Sequence, residues 1–433
     1  MKKSARALIL TLTVLAATHP LGAQGFKAFE LGARAAGLGG AFVARADDAS
    51  AVFFNPAGLA FQPGFRFKFD ISYNISNSTA RALGSGMAYT NDSARFTGNP
   101  YIVFTVKDFI SFGIGYFSAN WMRTSWSDNT FGSLHGNIST VSSTYVRPVL
   151  AVKILRYLAL GAGVDFVVAR QAWDHDMIFT FEATSPGRIL PALSRTSVEG
   201  EGVGFTAGWL FKPSDRFGFG GKVTSRVGID LKGTTDFDSA GVFRSPPRGL
   251  ATRAKMAIPE EIVVGLRALP LKNLAVHLDY QRIGMSGAMD WTFDVAPTVY
   301  DDIERLVGFR PDEAGFGADL VLRNTSRIMC GIEYVTGKAF AVRAGYSRQE
   351  SSVDDDNLRL VFPDLAMDVL SLGVGYEGPF FDLANRDKKL GGLSVDASIQ
   401  YGRSPGRTSK QPDFPAFFKG NRWSFGIGAG FVF

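Results

Sequence analysis

The chain has 433 residues, a formal charge of +6 and one cysteine. The single Cys330 excludes an intramolecular disulfide framework, and the weak net charge gives no reason to expect a nucleic-acid partner. No stretch approaches about 18 consecutive apolar residues, so a helical membrane protein is not expected. The 49 Gly, 37 Phe and 12 Tyr instead favour short aromatic strands that are joined by turns.

The first 23 residues have the pattern of a secretory signal peptide. A basic start, MKKSAR, precedes an apolar run from Ala7 to Ala17, and small residues at Gly22 and Ala23 predict cleavage after Ala23. Cleavage would remove three cations and lower the formal charge from +6 to +3. We therefore expect an exported protein.

Residues 37–60, GLGGAFVARADDASAVFFNPAGLA, have neither a helical nor a strand period. Small residues dominate, which suits a segment that folds compactly. Asp47 and Asp48 are interpreted either as salt-bridge partners for arginines elsewhere or as ordinary loop carboxylates. One of two interpretations of the NPAG near the end of the segment is turn chemistry alone, because Asn and Pro start turns and Gly permits positive φ.

From residue 66 onward, apolar side chains recur at every second position. They alternate with polar ones in RFKFDISYNIS, residues 66–76, and RWSFGIGAGFVF repeats the pattern at the end of the chain. A soluble β-sandwich also alternates, but repeated segments of about ten residues with aromatic ends favour a transmembrane barrel. Fourteen strands are predicted, at 66–76, 99–107, 109–118, 140–154, 158–170, 200–212, 216–230, 255–269, 273–283, 326–336, 339–348, 367–378, 392–403 and 421–433.

The predicted connections alternate between short and long, although the join at 379–391 is longer than expected for the short side. An even number of strands places both chain ends on one side, which in bacterial outer-membrane barrels is the periplasm. The sheet must close on itself, because lipid offers an edge strand no hydrogen-bond partner. The predicted tight connections lie at 107–108, 155–157, 212–215, 269–273 and 336–338.

If the apolar side chains face lipid, the alternate positions line a charged lumen. A bore of fourteen strands is wider than one that side chains alone can fill, and residues 37–60 are the natural candidate to fill it. In the predicted strand near 217–231, the side chains that should face lipid are Phe217, Phe219, Val223, Val227, Ile229 and Leu231. Those that should face the lumen are Arg216, Lys222, Thr224, Arg226 and Asp230. Elsewhere the inward set is Asp165, Arg267, His277, Asp279, Arg327, Glu333, Arg343, Asp396 and Gln400.

Residues 37–60, followed at once by an alternating strand, resemble the N-terminal hatch of the FadL/TodX-type outer-membrane transporters of hydrophobic compounds. Further matches are GAGVDFVVARQ, RFGFGGKVTSRVGIDLKG, IPEEIVVGLRALP followed by LAVHLDYQ, and the terminal Phe433. The resemblance covers most of the mature chain. The expected organisation is a signal peptide at 1–23, a hatch at 24–65 and a transmembrane antiparallel β-barrel at 66–433, in the outer membrane of a Gram-negative bacterium.

The resemblance also implies a transport route. In that family the hatch plugs a fourteen-stranded barrel, extracellular loops catch long-chain fatty acids or aromatic hydrocarbons, and the substrate leaves sideways near a kinked third strand. Asn55, Pro56 and Ala57 would then be the hatch tripeptide lying against that opening. Gly113 and Gly115, inward on the third strand, would allow the kink; alternatively they only make room for the hatch.

An apolar patch in the long loops would catch the substrate, or the same side chains would pack on each other as a lid. The candidates are Trp173, Met177, Phe179, Phe181, Leu190 and Leu193 in the connection 171–199 and Phe243 in 231–254.

A fatty-acid carboxylate would also need a cation in the lumen. Lys222 and Arg226 are the best candidates. Arg170 matches the family's AR at the end of strand five, although its parity places it on the lipid side. Structural ion pairs with Asp165 or Asp230 would explain the same charges.

Transport would be passive, driven by the preference of an apolar solute for lipid over water. An enzyme, a metal site or a cofactor is not expected, and His277 beside Asp279 suits a polar network. The alternative function is a structural or secretion-associated barrel that docks exported proteins, whereas a hatch should block a general porin. The expected partners are the hydrophobic substrate, outer-membrane lipid and the barrel-assembly machinery, which would read the final strand ending in Phe433; the protein should be a monomer.

Overall fold

The fold is almost entirely antiparallel β-strand. The computed structural model describes residues 31–84, 88–126, 138–180, 189–239, 248–288, 291–295, 315–318, 320–337, 339–381, 389–412 and 415–433. In these ranges no helix has both the length and the apolar character that a membrane crossing needs.

Nineteen strands occur in the described ranges. In chain order they are β1 (Gly64–Ala82), β2 (Ala88–Val106), β3 (Ile110–Ser125), β4 (Ile138–Leu155), β5 (Leu158–Thr180), β6 (Ile189–Ser214), β7 (Phe217–Thr224), β8 (Val227–Ser239), β9 (Leu250–Ile258), β10 (Glu261–Leu271), β11 (Leu274–Ile283), β12 (Trp291–Val295), β13 (Gly315–Ala318), β14 (Thr325–Thr336), β15 (Phe340–Gln349), β16 (Met367–Phe381), β17 (Lys389–Arg403), β18 (Arg407–Thr408) and β19 (Ala416–Val432).

Fourteen of these strands form a closed ring. Each pairs antiparallel with the next in the order β1 to β7, β10, β11, β14 to β17 and β19. The ring closes because β19 pairs with β1 along its whole length, from Arg66–Val432 to Ala82–Ala416. The predicted fourteen-stranded barrel is confirmed. The join between β16 and β17 is shorter than the predicted 379–391, because β16 continues to Phe381 and β17 begins at Lys389.

The two faces of the wall differ as the alternation predicts. Large apolar side chains such as Phe96, Phe104 and Ile427 are exposed on the outside, where lipid would cover them. The polar side chains on the inside are buried. Among the residues predicted to face the lumen, the prediction is confirmed for nine that have less than a tenth of their surface exposed. They are Asp165, Lys222, His277, Asp279, Arg327, Glu333, Arg343, Asp396 and Gln400.

The segment 31–63, called the hatch below, lies inside the ring. It contains helix α1 (Ala33–Gly37), helix α2 (Ala51–Phe54) and a 3-10 helix at Pro56–Phe61. The ring contacts it from opposite sides: Trp209 O of β6 accepts a hydrogen bond from Asn55 Nδ2 at 3.0 Å, and Gln400 of β17 donates to Ala36 O at 3.0 Å. The predicted plug therefore occupies the bore.

The break between β7 and β8 contradicts one prediction. The pattern near 217–231 predicts a single strand, but β7 ends at Thr224 and β8 begins at Val227. Val227, Ile229 and Leu231, predicted to face lipid, are buried, whereas Arg226 and Asp230, predicted to face the lumen, are exposed. The break between the two strands changes which side chains are covered.

Glycines on the inner face of β6 explain the change. A Cβ on Gly202 or Gly204 would come within 2.5 Å of Val227, and one on Gly200 within 2.3 Å of Asp230 O. The start of β8 therefore lies against the inside of β6 as a second layer, which only residues without a side chain permit. Pairing with β6 resumes at Glu199–Lys232.

Candidate functional site

The hatch is bound to the wall by hydrogen bonds to its backbone. Asp279 of β11 accepts from Phe42 N and Val43 N at 2.7 and 2.8 Å through one carboxylate oxygen. Arg147 of β4 donates to the carbonyls of Val52 and Phe53, both at 3.3 Å. Hydrogen bonds to a charged group are stronger than neutral ones, so these two side chains hold two separate stretches in the middle of the hatch.

A buried ionic cluster joins the hatch to β1 and β17. Lys68 Nζ lies 3.2 Å from Asp48 of the hatch, 3.7 Å from Asp70 and 3.4 Å from Asp396. All four side chains are at least nine-tenths buried. Of the two interpretations of Asp48, the salt-bridge partner is confirmed, although its partner is a lysine.

The tripeptide Asn55–Pro56–Ala57 lies against β5 and β6. Asn55 Nδ2 donates to Val43 O at 2.8 Å and to Trp209 O of β6 at 3.0 Å. Gly161 of β5 gives it room, since a Cβ there would come 2.5 Å from Ala57 N. The predicted position beside the third strand is thus corrected: the tripeptide contacts the wall two strands further along.

Other hatch residues meet the third strand. A Cβ on Gly113 would lie 2.8 Å from Leu59 and 2.9 Å from Val52, and one on Gly115 would lie 2.9 Å from Val52. Of the two interpretations of these glycines, a strand kink or room for the hatch, the contacts support room for the hatch. The irregularity in β3 lies a few residues further on.

The wall between β2 and β3 is interrupted. Their pairing runs from Val106–Ile110 to Tyr101–Gly115 and then stops. One isolated bridge follows, between Asn91 and Trp126. Pro100, which has no amide hydrogen to donate, is the first β2 residue beyond the paired stretch.

A β-bulge in β3 lies opposite this gap. Phe117 pairs with Tyr145 of β4, but the next pair is Asn120 with Ser143, so β3 carries one extra residue. A bulge of this kind bends its strand and disrupts the local ladder. The sequence-based expectation of an irregular third strand is confirmed, although the bend lies beyond Gly113 and Gly115.

Aromatic side chains line the inside of the gap. Phe117 is fully buried, and its ring lies 5.3 Å from that of Tyr145 and 5.1 Å from that of Phe53 in the hatch. The Arg147 guanidinium lies 5.0 Å from the Phe117 ring centre, within cation–π distance. The lumen at this point therefore offers an apolar surface.

A small pocket reaches from the lumen to the bulge. It has a volume of about 30 Å³, and its lining includes Phe53 and Phe54 of the hatch, Ala119 of the bulge and Lys222. Space of this size holds about two water molecules. A hydrophobic solute could pass only if the hatch side chains moved.

The three predicted carboxylate-binding cations have different positions. Lys222 faces this pocket, but its Nζ donates to Phe53 O at 3.3 Å and lies 4.0 Å from Glu261. Arg226 lies in the break between β7 and β8, where its Nη2 donates to Gly284 O at 3.2 Å and Nε lies 3.4 Å from Glu260.

Arg170 is 71% exposed on the outside of β5 and pairs with Glu199 at 2.9 Å. The placement of Arg170 in a luminal site is thus wrong, because the parity of β5 turns its side chain outward. Arg226 lies at the strand break before β8 and does not line the pocket. Of the three cations, only Lys222 lies beside the pocket.

The connection predicted at 171–199 is largely a hairpin of β5 and β6. Trp173 is not an exposed loop residue: it is buried on β5, with its ring 5.8 Å from Phe293 of β12. Leu193 is half-buried on β6. Met177 and Phe179 lie in β5 and Leu190 in β6, but their side chains fall outside the described part, as do Phe181 and Phe243 entirely.

The segment 350–366, called the inner loop below, was not singled out from the sequence. Its Leu358, Leu360 and Phe362 are buried. Trp126 Nε1 donates to Leu360 O at 3.0 Å, and Ser139 Oγ donates to Val361 O at 2.8 Å. The run LRLVFPDLAM inside a long connection was the signal that could have revealed an inward-folded loop.

Two acidic groups fix the inner loop at its ends. Asp355 accepts from Arg407 Nη2 at 2.6 Å, and this hydrogen bond lowers the pKa of the Asp355 carboxyl. Burial raises the pKa of Asp364, against the opposing effect of Ser352, which donates to it from both its backbone N and its hydroxyl at 2.6 Å.

The whole sequence can now be compared with known proteins. Residues 13–401 match the family described as "Outer membrane protein transport protein (OMPP1/FadL/TodX)". The chain belongs to this family. It is 23% identical to outer membrane protein P1 of Haemophilus influenzae in an alignment 425 residues long, which covers 87% of this chain and 87% of that protein.

Solved structures of the FadL/TodX type share the fold. A Pseudomonas aeruginosa FadL homologue superposes with a TM-score of 0.79 at 16% identity, over 94% of this chain and 100% of that one. The P. putida toluene transporter TodX superposes with a TM-score of 0.72 at 16% identity, over 93% of this chain and 99% of that one. The protein is therefore a multi-pass outer-membrane protein of a transport family.

Proposed function

We propose that this protein takes up hydrophobic small molecules, such as long-chain fatty acids or aromatic hydrocarbons, by passive transport across the outer membrane. Extracellular loops capture the solute, and it leaves sideways through the gap between β2 and β3 into the membrane. The family and the toluene transport named for TodX support the class of substrate. The driving force is the transfer of apolar surface from water to lipid.

The interrupted ladder between β2 and β3 carries the proposal of lateral release. A backbone group without a partner in lipid costs several kcal/mol, so a sheet that only had to be stable would pair these strands throughout. Here the pairing ends at Tyr101–Gly115, opposite the extra residue of β3. The pocket at Ala119 lies on the luminal side of the same point.

The hatch supports a sideways path over a straight one. Gly161 meets Ala57, and Gly345 on the far wall would place a Cβ 2.2 Å from Gly39 N. The hatch is thus packed against opposite parts of the ring, whereas the gap needs only the movement of side chains such as Phe53.

Deleting Ala119 tests the lateral route. The deletion removes the one extra residue of β3, so β3 and β4 would pair in a single register and β3 could continue its pairing with β2. We expect uptake of a labelled long-chain fatty acid and of labelled toluene to fall at least tenfold in a host that lacks its own transporter. The matched control is Ala119→Gly, which keeps the residue count and should keep uptake.

Surface abundance and heat-modifiable migration on a gel show whether each variant folds. Normal uptake by a folded Ala119 deletion would refute lateral release. If the wild-type protein takes up neither solute, the hydrophobic substrate class itself is wrong. Uptake of one but not the other identifies the substrate within that class.

A further inference from the structure

A cavity of about 640 Å³ lies on the periplasmic side of the hatch. It is lined by Arg34 and Arg45 of the hatch and by residues near the tight turns of the wall, including Leu269 and Val335. We call it the vestibule. It lies on the opposite side of the hatch from the inner loop, and the route proposed above does not use it.

The vestibule is rich in positive charge. Three acidic residues line it, and two of them are already matched: Glu333 is bound by Arg45 at 2.7 Å and by Arg343 at 2.6 Å, and Asp396 by Arg343 at 2.7 Å. The third, Glu377, is largely exposed. The basic residues that line it are Arg34, Arg45, Arg66, Arg267, Lys272 and Arg343.

Three of these cations have no acidic partner. Among the described residues, no carboxylate lies within 4.0 Å of Arg66, Arg267 or Lys272. Buried nitrogen atoms are also left over: Nε of Arg34 and Nε of Arg267 have no hydrogen-bond partner in the described part. Arg34 is 8% exposed.

Arg34 Nη2 lies 3.7 Å from Asp47 and 3.6 Å from Glu377, so it is the Nε–H of Arg34 and of Arg267 that is unsatisfied. A buried N–H group that lacks a partner is costly, so proteins usually supply one. Its planar set of N–H donors matches the two oxygens of a carboxylate or phosphate. The cavity volume falls in the range of about 300–1,000 Å³ that is typical of small-molecule sites. Donors, excess charge and space therefore coincide at this one place.

We propose that the vestibule binds a small organic oxyanion, a carboxylate or a phosphate, from the periplasm. Arg267 of the wall is the central ligand, Arg34 donates Nε from the hatch, and Lys272 at the β10–β11 turn adds charge at the mouth. Because these groups belong to both hatch and wall, the bound anion bridges the two. Binding therefore stabilises the plugged state, by an amount that grows with the logarithm of the ligand concentration once this exceeds the dissociation constant.

The test is calorimetric titration of the full-length protein in detergent. The probes are sodium phosphate and sodium succinate, at ionic strength matched with chloride. We expect saturable binding of at least one probe. Arg267→Gln should weaken it at least tenfold, as expected for the loss of a hydrogen bond to a charged group. The matched control, Arg282→Gln, removes an exposed cation on the lipid side of β11 that donates to Ser326, and should leave binding unchanged.

Lys272→Gln gives a second variant at an exposed turn, where folding is not at risk, and should weaken binding severalfold at low salt. The probe that binds tighter identifies carboxylate or phosphate as the head group. If neither anion binds below about 10 mM, or if folded Arg267→Gln and Lys272→Gln both bind like wild type, the proposal is overturned. Uptake of hydrophobic solute is a separate measurement, so failure here leaves the transport proposal untouched.

Discussion

Lys68 is the side chain whose loss should most directly release the hatch. It is 2% exposed and lies within 3.7 Å of Asp48, Asp70 and Asp396. Lys68→Met keeps much of the side-chain volume but removes the charge that joins these three carboxylates. Asp396 keeps Arg343 as a partner, whereas Asp48 and Asp70 are left close together.

Removing one partner of a buried ion pair costs about 3–5 kcal/mol, because the remaining charge stays buried without compensation. Asp48 belongs to the hatch, so the molecule can relieve this cost by moving the hatch away from β1. At about 1.4 kcal/mol per tenfold change, we expect the detached population to rise by about a hundredfold to a few thousandfold.

Hydrogen–deuterium exchange of the amides in residues 31–63 measures that population. Exchange in Lys68→Met should accelerate by the same factor, and channel openings in planar bilayers should become more frequent. Adding Asp48→Asn removes the hatch carboxylate and should restore part of the protection. Lys419→Met, the same substitution at an exposed cation of β19, is the matched control.

Wild-type exchange rates in a folded Lys68→Met protein would show that this cluster does not anchor the hatch. The reasoning would also fail if Lys419→Met accelerated exchange equally, because the effect would then come from the loss of any positive charge.

Two further predictions concern the tripeptide and the inner loop. Gly161→Leu should displace the hatch and raise conductance in planar bilayers, since even a Cβ there would meet Ala57 N at 2.5 Å; Ala162→Leu points outward and should conduct like wild type. The hydrogen bond from Arg407 lowers the pKa of Asp355. The Asp355 carboxylate therefore keeps this contact at any pH above the usual carboxyl pKa of about 4, and loses it as the pH falls through its own lowered pKa. Proteolysis of the inner loop should therefore be faster at about pH 2.5 than at about pH 6, and Arg407→Gln should remove most of this difference; equal rates in the wild type would contradict it.

The sequence alone determined the wall of this protein. Each of the fourteen predicted strands overlaps one strand of the ring, although those at 216–230 and 255–269 also take in parts of β8 and β9. Side chains such as Asp165, Glu333 and Asp396 face inward as expected. In a single-layered barrel each residue faces either lipid or lumen, so the two-residue period is enough to assign its side. Tight turns and long connections then fix the two ends of the barrel.

Tertiary structure decided whatever lies inside that wall. The sequence pattern placed Val227 on the lipid side, and the family resemblance implied Asn55 beside the third strand, but β8 packs against glycines of β6, and the tripeptide against Gly161. The burial of Leu360 in the bore likewise depends on Trp126, far away in the chain. A local period reports which side chains share a face, but not which distant segment covers that face, because that choice depends on packing between residues that the sequence keeps apart.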